Sequence, residues 1–128
     1  RFSIDLRVAT VADGEEFAAK IMGLQPLAPD FRVTVTGGMN RPPFERTEEV
    51  AKIFALAQEI GADIGLDVQE CPRTGGGSDG NFTAIFGVPT LDGLGIDGDG
   101  AHTLQEYALI SSIAPRAKLI ARLLERID

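Results

Sequence analysis

Residues 73–102 read RTGGGSDGNFTAIFGVPTLDGLGIDGDGAH, with the chain's only histidine, His102, closing the second of two glycine-rich loops. Glycine loses more backbone freedom on folding than any other residue, so this density points to backbone that must approach a ligand or a metal. The alternative is a pair of exposed turns joining ordinary elements. Between the loops, Ser78 or Asp79 predicts the cap of a short helix through Phe86, with Gly87 as its C-terminal glycine and a strand over 88–91. Strands alternating with helices after position 46 predict an α/β layer.

Working outward, Pro115 is expected in the first turn of a last helix that buries Leu119, Ile120, Leu123, Leu124 and Ile127. Upstream, Thr47 is expected to cap a long helix with Val50, Ile53, Phe54, Ala57 and Ile60 on its buried face, closed by Gly61 or Gly65. Residues 67–70 read as a short strand. Gly37-Gly38 and Asn40-Arg41-Pro42-Pro43 break the pattern, since two successive prolines fix φ and remove two donors, and a domain boundary is placed there. Before it, Phe2, Ile4, Leu6 and Val8 alternate with polar residues, as do Phe31, Val33 and Val35, predicting two half-buried strands. Between them Asp13, with Glu16 three residues on, predicts a helix start, with Phe17, Ile21 and Leu24 on one stripe and Gly23 and Pro26 at its end. Strand, helix, strand is about half of a ferredoxin-like α+β sandwich. Arg1-Phe2-Ser3-Ile4 starts inside an alternating pattern without an initiator Met, so the chain reads as a fragment of something longer.

Composition narrows the function classes. Hydrophobic residues at 44% and charged residues at 24% of 128 residues suit one globular domain or two incomplete pieces. A net charge of −7 argues against nucleic acid or an anionic membrane surface as partner, because phosphate binding needs clustered Lys and Arg. No apolar run approaches the roughly 20 residues that span a bilayer, and no signal peptide is visible. Cys71 stands alone, which excludes an intrachain disulfide and fits a reducing, cytoplasmic setting, with the thiol as a small apolar filler beside Pro72.

The residues that could carry chemistry are few. Thr74-Gly75-Gly76-Gly77-Ser78-Asp79 runs into a helix N-terminus and gathers backbone N–H groups into a possible anion or oxyanion site, or simply a helix-capping turn. It lacks the Lys-Ser/Thr ending of a Walker loop and the spacing of a dinucleotide fingerprint. His102 follows Asp97-Gly98-Asp99-Gly100-Ala101 and precedes Glu106 by four positions, which suits a metal ligand with acceptors nearby, although one His cannot make a zinc site. Asp92, Asp97 and Asp99 do not match the EF-hand spacing of a calcium loop. Arg7, on the polar face of a strand, and Arg41, in the proline-rich hinge, suit bidentate capture of a carboxylate, or plain solvation.

Ile4-Asp5-Leu6-Arg7, Asn40-Arg41-Pro42-Pro43, Arg73-Thr74-Gly75-Gly76-Gly77-Ser78-Asp79 and residues 95–102 occur in the order and spacing of one family. The chain resembles the di-zinc metallopeptidases that include glutamate carboxypeptidase, acetylornithine deacetylase, succinyl-diaminopimelate desuccinylase and aminoacylase. The resemblance covers the whole chain and about the C-terminal third of such an enzyme. It implies an α/β fold class: residues 1–42 as the second half of a ferredoxin-like lid that also forms a homodimer, and residues 43–128 as the C-terminal part of a zinc-exopeptidase-like catalytic domain. It implies His102 as the last zinc ligand of two zinc ions per subunit. Arg7 and Arg41 would hold the substrate carboxylate, Thr74 and Gly77 would line the substrate pocket, and Asp79 and Glu106 would support or cap.

The implied reaction is hydrolysis of an amide bond in a small N-acyl amino acid or dipeptide-like substrate. The family's upstream His-x-Asp motif, bridging Asp, Glu-Glu pair, further carboxylate ligand and lid Asn have no counterpart here, so the chain alone is expected to be inactive. The reading from another class is a non-catalytic binding or dimerisation module whose glycine-rich loop holds an anion.

Overall fold

The computed structural model describes residues 1–71 and 74–127; Pro72, Arg73 and Asp128 lie outside the described residues, and with them the first residue of the glycine motif and the packing expected between Cys71 and Pro72. The described residues form helices α1 (Val11–Met22), α2 (Glu48–Ile64), α3 (Gly80–Ile85) and α4 (Ile110–Arg126), with one antiparallel pair, β1 (Gly98–Asp99) and β2 (Tyr107–Ala108). The chain is thus a mixture of helix and sheet. It divides into two compact units, one of Arg1–Arg46 with Gly75–Val88 and one of Thr47–Thr74 with Pro89–Asp128.

In the first unit α1 starts one turn before its predicted cap. Thr10 is the N-cap, its Oγ1 accepting from the Asp13 N–H at 3.0 Å, while Glu45 Oε1 accepts from the Val11 N–H at 2.6 Å. Asp13 therefore lies inside the helix and contributes charge near the positive dipole end. Gly23 ends the helix as expected, its N–H returning to Ala19 O at 2.9 Å. Gly14 is buried because Met39 and Val8 close over it: a Cβ there would lie 2.6 Å from Met39 Cε.

The two alternating segments of this unit, residues 1–8 and 31–36, form no strand among the described residues. Phe2 is 82% exposed and Phe31 68%. Alternation reports which side of a strand is apolar. It does not supply the neighbouring strand that must take up the backbone N–H and C=O groups, and no strand among the described residues does so. The helical stripe is likewise open, with Phe17 and Leu24 both exposed.

The second unit holds the core. Thr47 caps α2 as predicted, Oγ1 accepting from the Val50 N–H at 3.2 Å, and Gly65 closes it in the left-handed conformation at φ 73°. Ala57, Ile60, Val68, Leu119 and Leu123 form one buried cluster between α2 and α4, flanked by Phe54, Leu56, Ile64, Leu66, Leu91 and Leu94. Val50, Ile53 and Phe54 sit at its margin, partly buried. On α4 only Leu119 and Leu123 of the five expected residues are buried, because α2 covers one face; Ile120, Leu124 and Ile127 remain exposed. The helix also begins five residues before Pro115, which therefore sits inside it rather than in its first turn. Residues 67–70 and 88–91 form no strand, although Val68 is buried in the core. Cys71 is exposed, so it fills no apolar gap.

Gly61 closes no helix. It is buried within α2, where a Cβ would meet Val68 Cγ2 at 2.5 Å and the Leu66 carbonyl oxygen at 2.6 Å. Gly→Ala in an open helix interior stabilises by about 1 kcal/mol. Here the backbone oxygen cannot give way cheaply, so Gly61→Ala is expected to destabilise by about 1–3 kcal/mol. Urea unfolding followed by circular dichroism checks this, and a neutral or stabilising result contradicts the packing.

Candidate functional site

The first unit brings residues of three of the four motif segments to one place. Arg7 donates through Nε and Nη2 to Asp5 Oδ2, at 3.2 and 3.0 Å, and through Nη1 to the Gly75 carbonyl. Asp5 lies two residues before Arg7 and, through these two bonds, orients the fork. Arg41 approaches the same loop two residues further on: a Cβ on Gly77 would lie 2.7 Å from Arg41 Nη1 and 3.1 Å from its Cδ. The missing side chain of Gly77 is the space the guanidinium uses. Arg41 also lies 5.0 Å from the Phe82 ring centroid and has Nη2 3.6 Å from Asp79 Oδ1. Both guanidiniums are partly solvent-exposed, so each ion pair contributes little to stability, about 0–1 kcal/mol. Their effect is orientation.

One N–H of the expected anion nest, that of Ser78, is used within the chain, as are the donors that follow in α3. Ser78 N–H donates to Asn81 Oδ1 at 2.9 Å, Gly80 N–H to Ser78 Oγ at 3.0 Å, Asn81 N–H to Ser78 O at 3.2 Å and Phe82 N–H to Asp79 O at 3.0 Å. These donors are consumed in turning the chain into α3, a helix of only six residues. Asp79 is the N-cap by position but makes no side-chain cap bond; Ser78 does the capping. Towards Arg7 the loop presents a carbonyl, which suits a cation.

Asn81 was not singled out from the sequence. It is buried, with Nδ2 donating to Pro42 O at 2.7 Å while Oδ1 accepts from Ser78. Its signal was an amide three residues after Ser78 in a short helix. Asp5 and Phe82 were missed as well; the spacing of Asp5 to Arg7 was readable.

Thr74 and His102 belong to the second unit. His102 is exposed in the loop between β1 and β2, a hairpin not anticipated from the glycines. Gly98 makes that pairing possible, since a Cβ there would run into the Tyr107 carbonyl oxygen. His102 is the one non-glycine residue at positive φ among those described, at 67°. A left-handed backbone at a non-glycine residue costs free energy and tends to persist where function retains the side chain.

The hairpin is fastened to α4 by Leu109 N–H donating to Asp97 O at 2.7 Å, Asp97 N–H to Ser112 Oγ at 2.9 Å and Arg116 Nη2 to Asp97 Oδ1 at 2.6 Å. Asp97 is thereby an anchor, and Asp99 Oδ1 accepts from the Gly100 N–H at 2.7 Å. Glu106 is exposed, with its N–H on Thr103 O. Among the described residues no three His, Cys, Asp or Glu side chains converge to hold a metal ion. An exposed imidazole on an anchored hairpin fits one ligand of a site completed by other groups.

Among the described residues no helix is long and apolar enough to cross a membrane. Residues 4–126 match the model of peptidase family M20/M25/M40. The chain is 35% identical over 125 residues to carboxypeptidase G2 of Pseudomonas sp. (strain RS-16), an alignment covering 88% of this chain and 29% of that relative. The chain thus spans less than a third of the relative's length. No solved structure matches it.

Proposed function

The chain belongs to peptidase family M20/M25/M40, and on that premise we propose that it forms part of a hydrolase that cleaves an amide bond next to a free carboxylate, in small N-acyl amino acids or dipeptide-like substrates. Peptidases of this family are generally metal-dependent. His102 would hold a zinc ion, one of two per subunit, and the metal when bound supplies Lewis-acid polarisation and an activated water. Arg7 and Arg41 would grip the substrate carboxylate, and Thr74 and Gly77 would line the pocket. In this reading residues 1–42 are half of a lid that also dimerises, and residues 43–128 belong to the catalytic domain. The alternating segments that form no strand here, with Phe2 and Phe31 exposed, are consistent with a lid completed by further strands.

The observation that carries the proposal is the meeting of two arginines, 34 positions apart in sequence, on one glycine loop at Gly75 and Gly77. Two oriented guanidiniums beside a small-residue loop are suited to bidentate anion recognition. The rival, a module that holds an anion on N–H groups of the loop and the helix start, is weakened because the Ser78 N–H of the loop and the first three N–H groups of α3 are used within the turn. In the enzyme that carries this segment, Arg7→Ala or Arg41→Ala is expected to lower kcat/KM by about 2–4 kcal/mol of transition-state binding. The loss should vanish for substrates whose carboxylate is replaced by a carboxamide. Equal losses on both substrates would make the arginines structural.

A further inference from the structure

We infer that Asn81 is the positioning residue for Arg41; the inference rests on reading Arg41 as a carboxylate-binding group. Arg41 is followed by Pro42 and Pro43, neither of which has a backbone N–H, so this stretch cannot be held by a ladder. The Pro42 carbonyl, in a buried residue, must find its donor elsewhere, and it finds Asn81 Nδ2 at 2.7 Å. The other end of the same amide accepts from the Ser78 N–H at 2.9 Å. One buried side chain, 9% exposed, therefore joins the peptide unit just after Arg41 to the glycine loop. A planar amide satisfied at both ends fixes both distance and direction between the two segments.

The consequence is the placement of the guanidinium. With Pro42 tied to α3, Arg41 is set over the Phe82 ring at 5.0 Å, near Asp79, in the space left by Gly77. Phe82 and Asp79 flank Asn81 closely in sequence, so the short helix that supplies the tie also supplies the surface on which Arg41 rests. Without the tie, Arg41 keeps its charge but loses its fixed approach. A long, partly exposed side chain then samples many rotamers, and carboxylate affinity falls by the cost of ordering it again.

Two readouts test this. In the 128-residue chain, the Arg41 side-chain protons should show an upfield ring-current shift from Phe82 that disappears in Asn81→Ala. In the enzyme carrying the segment, Asn81→Ala should raise KM for a carboxylate substrate about tenfold with kcat held within about twofold, leaving the carboxamide analogue unaffected. Loss of the ring-current shift with KM unmoved supports the positioning and overturns the substrate role of Arg41. Retention of the shift in Asn81→Ala overturns the inference. Should Asn81→Ala fail to fold, the unsubstituted chain still decides. Slow hydrogen exchange of the Asn81 side-chain amide relative to that of exposed Asn40 supports the tie, and equal exchange overturns it.

Discussion

His102→Ala in the enzyme that carries this segment is expected to lower kcat by about a thousandfold, some 4 kcal/mol of barrier, because loss of a metal ligand removes charge stabilisation that nothing adjacent replaces. The second half of this expectation concerns folding. His102 is exposed, joins no described hydrogen bond, and sits in the left-handed region at φ 67°. Its imidazole contributes nothing visible to the hairpin, whose closure depends on Gly98, Gly100 and the Asp97, Ser112 and Arg116 anchor. His102→Gly should therefore keep the fold, or stabilise it by up to about 1 kcal/mol by relieving the backbone, while activity is lost as in the alanine variant. Stability unchanged or raised with activity lost is the signature of a residue retained for chemistry. Near-normal turnover in both variants, with metal content unchanged, would remove His102 from the site.

Leu119→Ala carries the largest expected effect on stability. Leu119 is fully buried at the contact of α2 and α4, against Ala57, Ile60, Val68 and Leu123. Truncating such a leucine costs about 3–5 kcal/mol, from lost transfer free energy and the cavity left behind. Domains of this size hold about 5–15 kcal/mol in total. With five buried hydrophobics in the cluster among the described residues, the second unit has little reserve and should be largely unfolded at moderate urea. Leu124→Ala, at a position 74% exposed on the same helix, should change stability by less than about 0.5 kcal/mol. Equal effects at the two positions would show that α4 is packed differently.

Local signals were legible in the sequence wherever one or two residues settle the geometry. Thr47 capped its helix, and Gly23, Gly65 and Gly87 fell at helix ends, because caps are decided by neighbours a few positions away. Thr10 was passed over for Asp13 because an acidic residue inside the first turn resembles a cap in the one-letter code. Strands failed for a different reason. Residues 1–8 and 31–36 have the alternation of strands, but a ladder is a relation between two segments and no partner appears among the described residues.

The short β1–β2 pair was missed in the opposite sense, since its glycines mask any alternation while Gly98 permits the close approach. Of the site, Arg7, Arg41 and Gly77 were readable as chemistry-bearing types at conspicuous places, and the structure adds that the two arginines reach the same glycine loop, Arg7 at Gly75 and Arg41 at Gly77. Asn81 was not readable, because its value lies in a hydrogen bond to a carbonyl 39 residues away.

The most direct test compares kcat/KM of the enzyme carrying this segment for two substrates, an N-acyl amino acid and its carboxamide, at low ionic strength. Recognition by Arg7 and Arg41 predicts a preference for the free carboxylate of at least about a hundredfold, since two charge-assisted contacts are each worth about 1.5–3 kcal/mol. That preference should fall towards unity in Arg7→Ala/Arg41→Ala. Equal rates on both substrates in the unsubstituted enzyme would contradict the account, whatever its metal content.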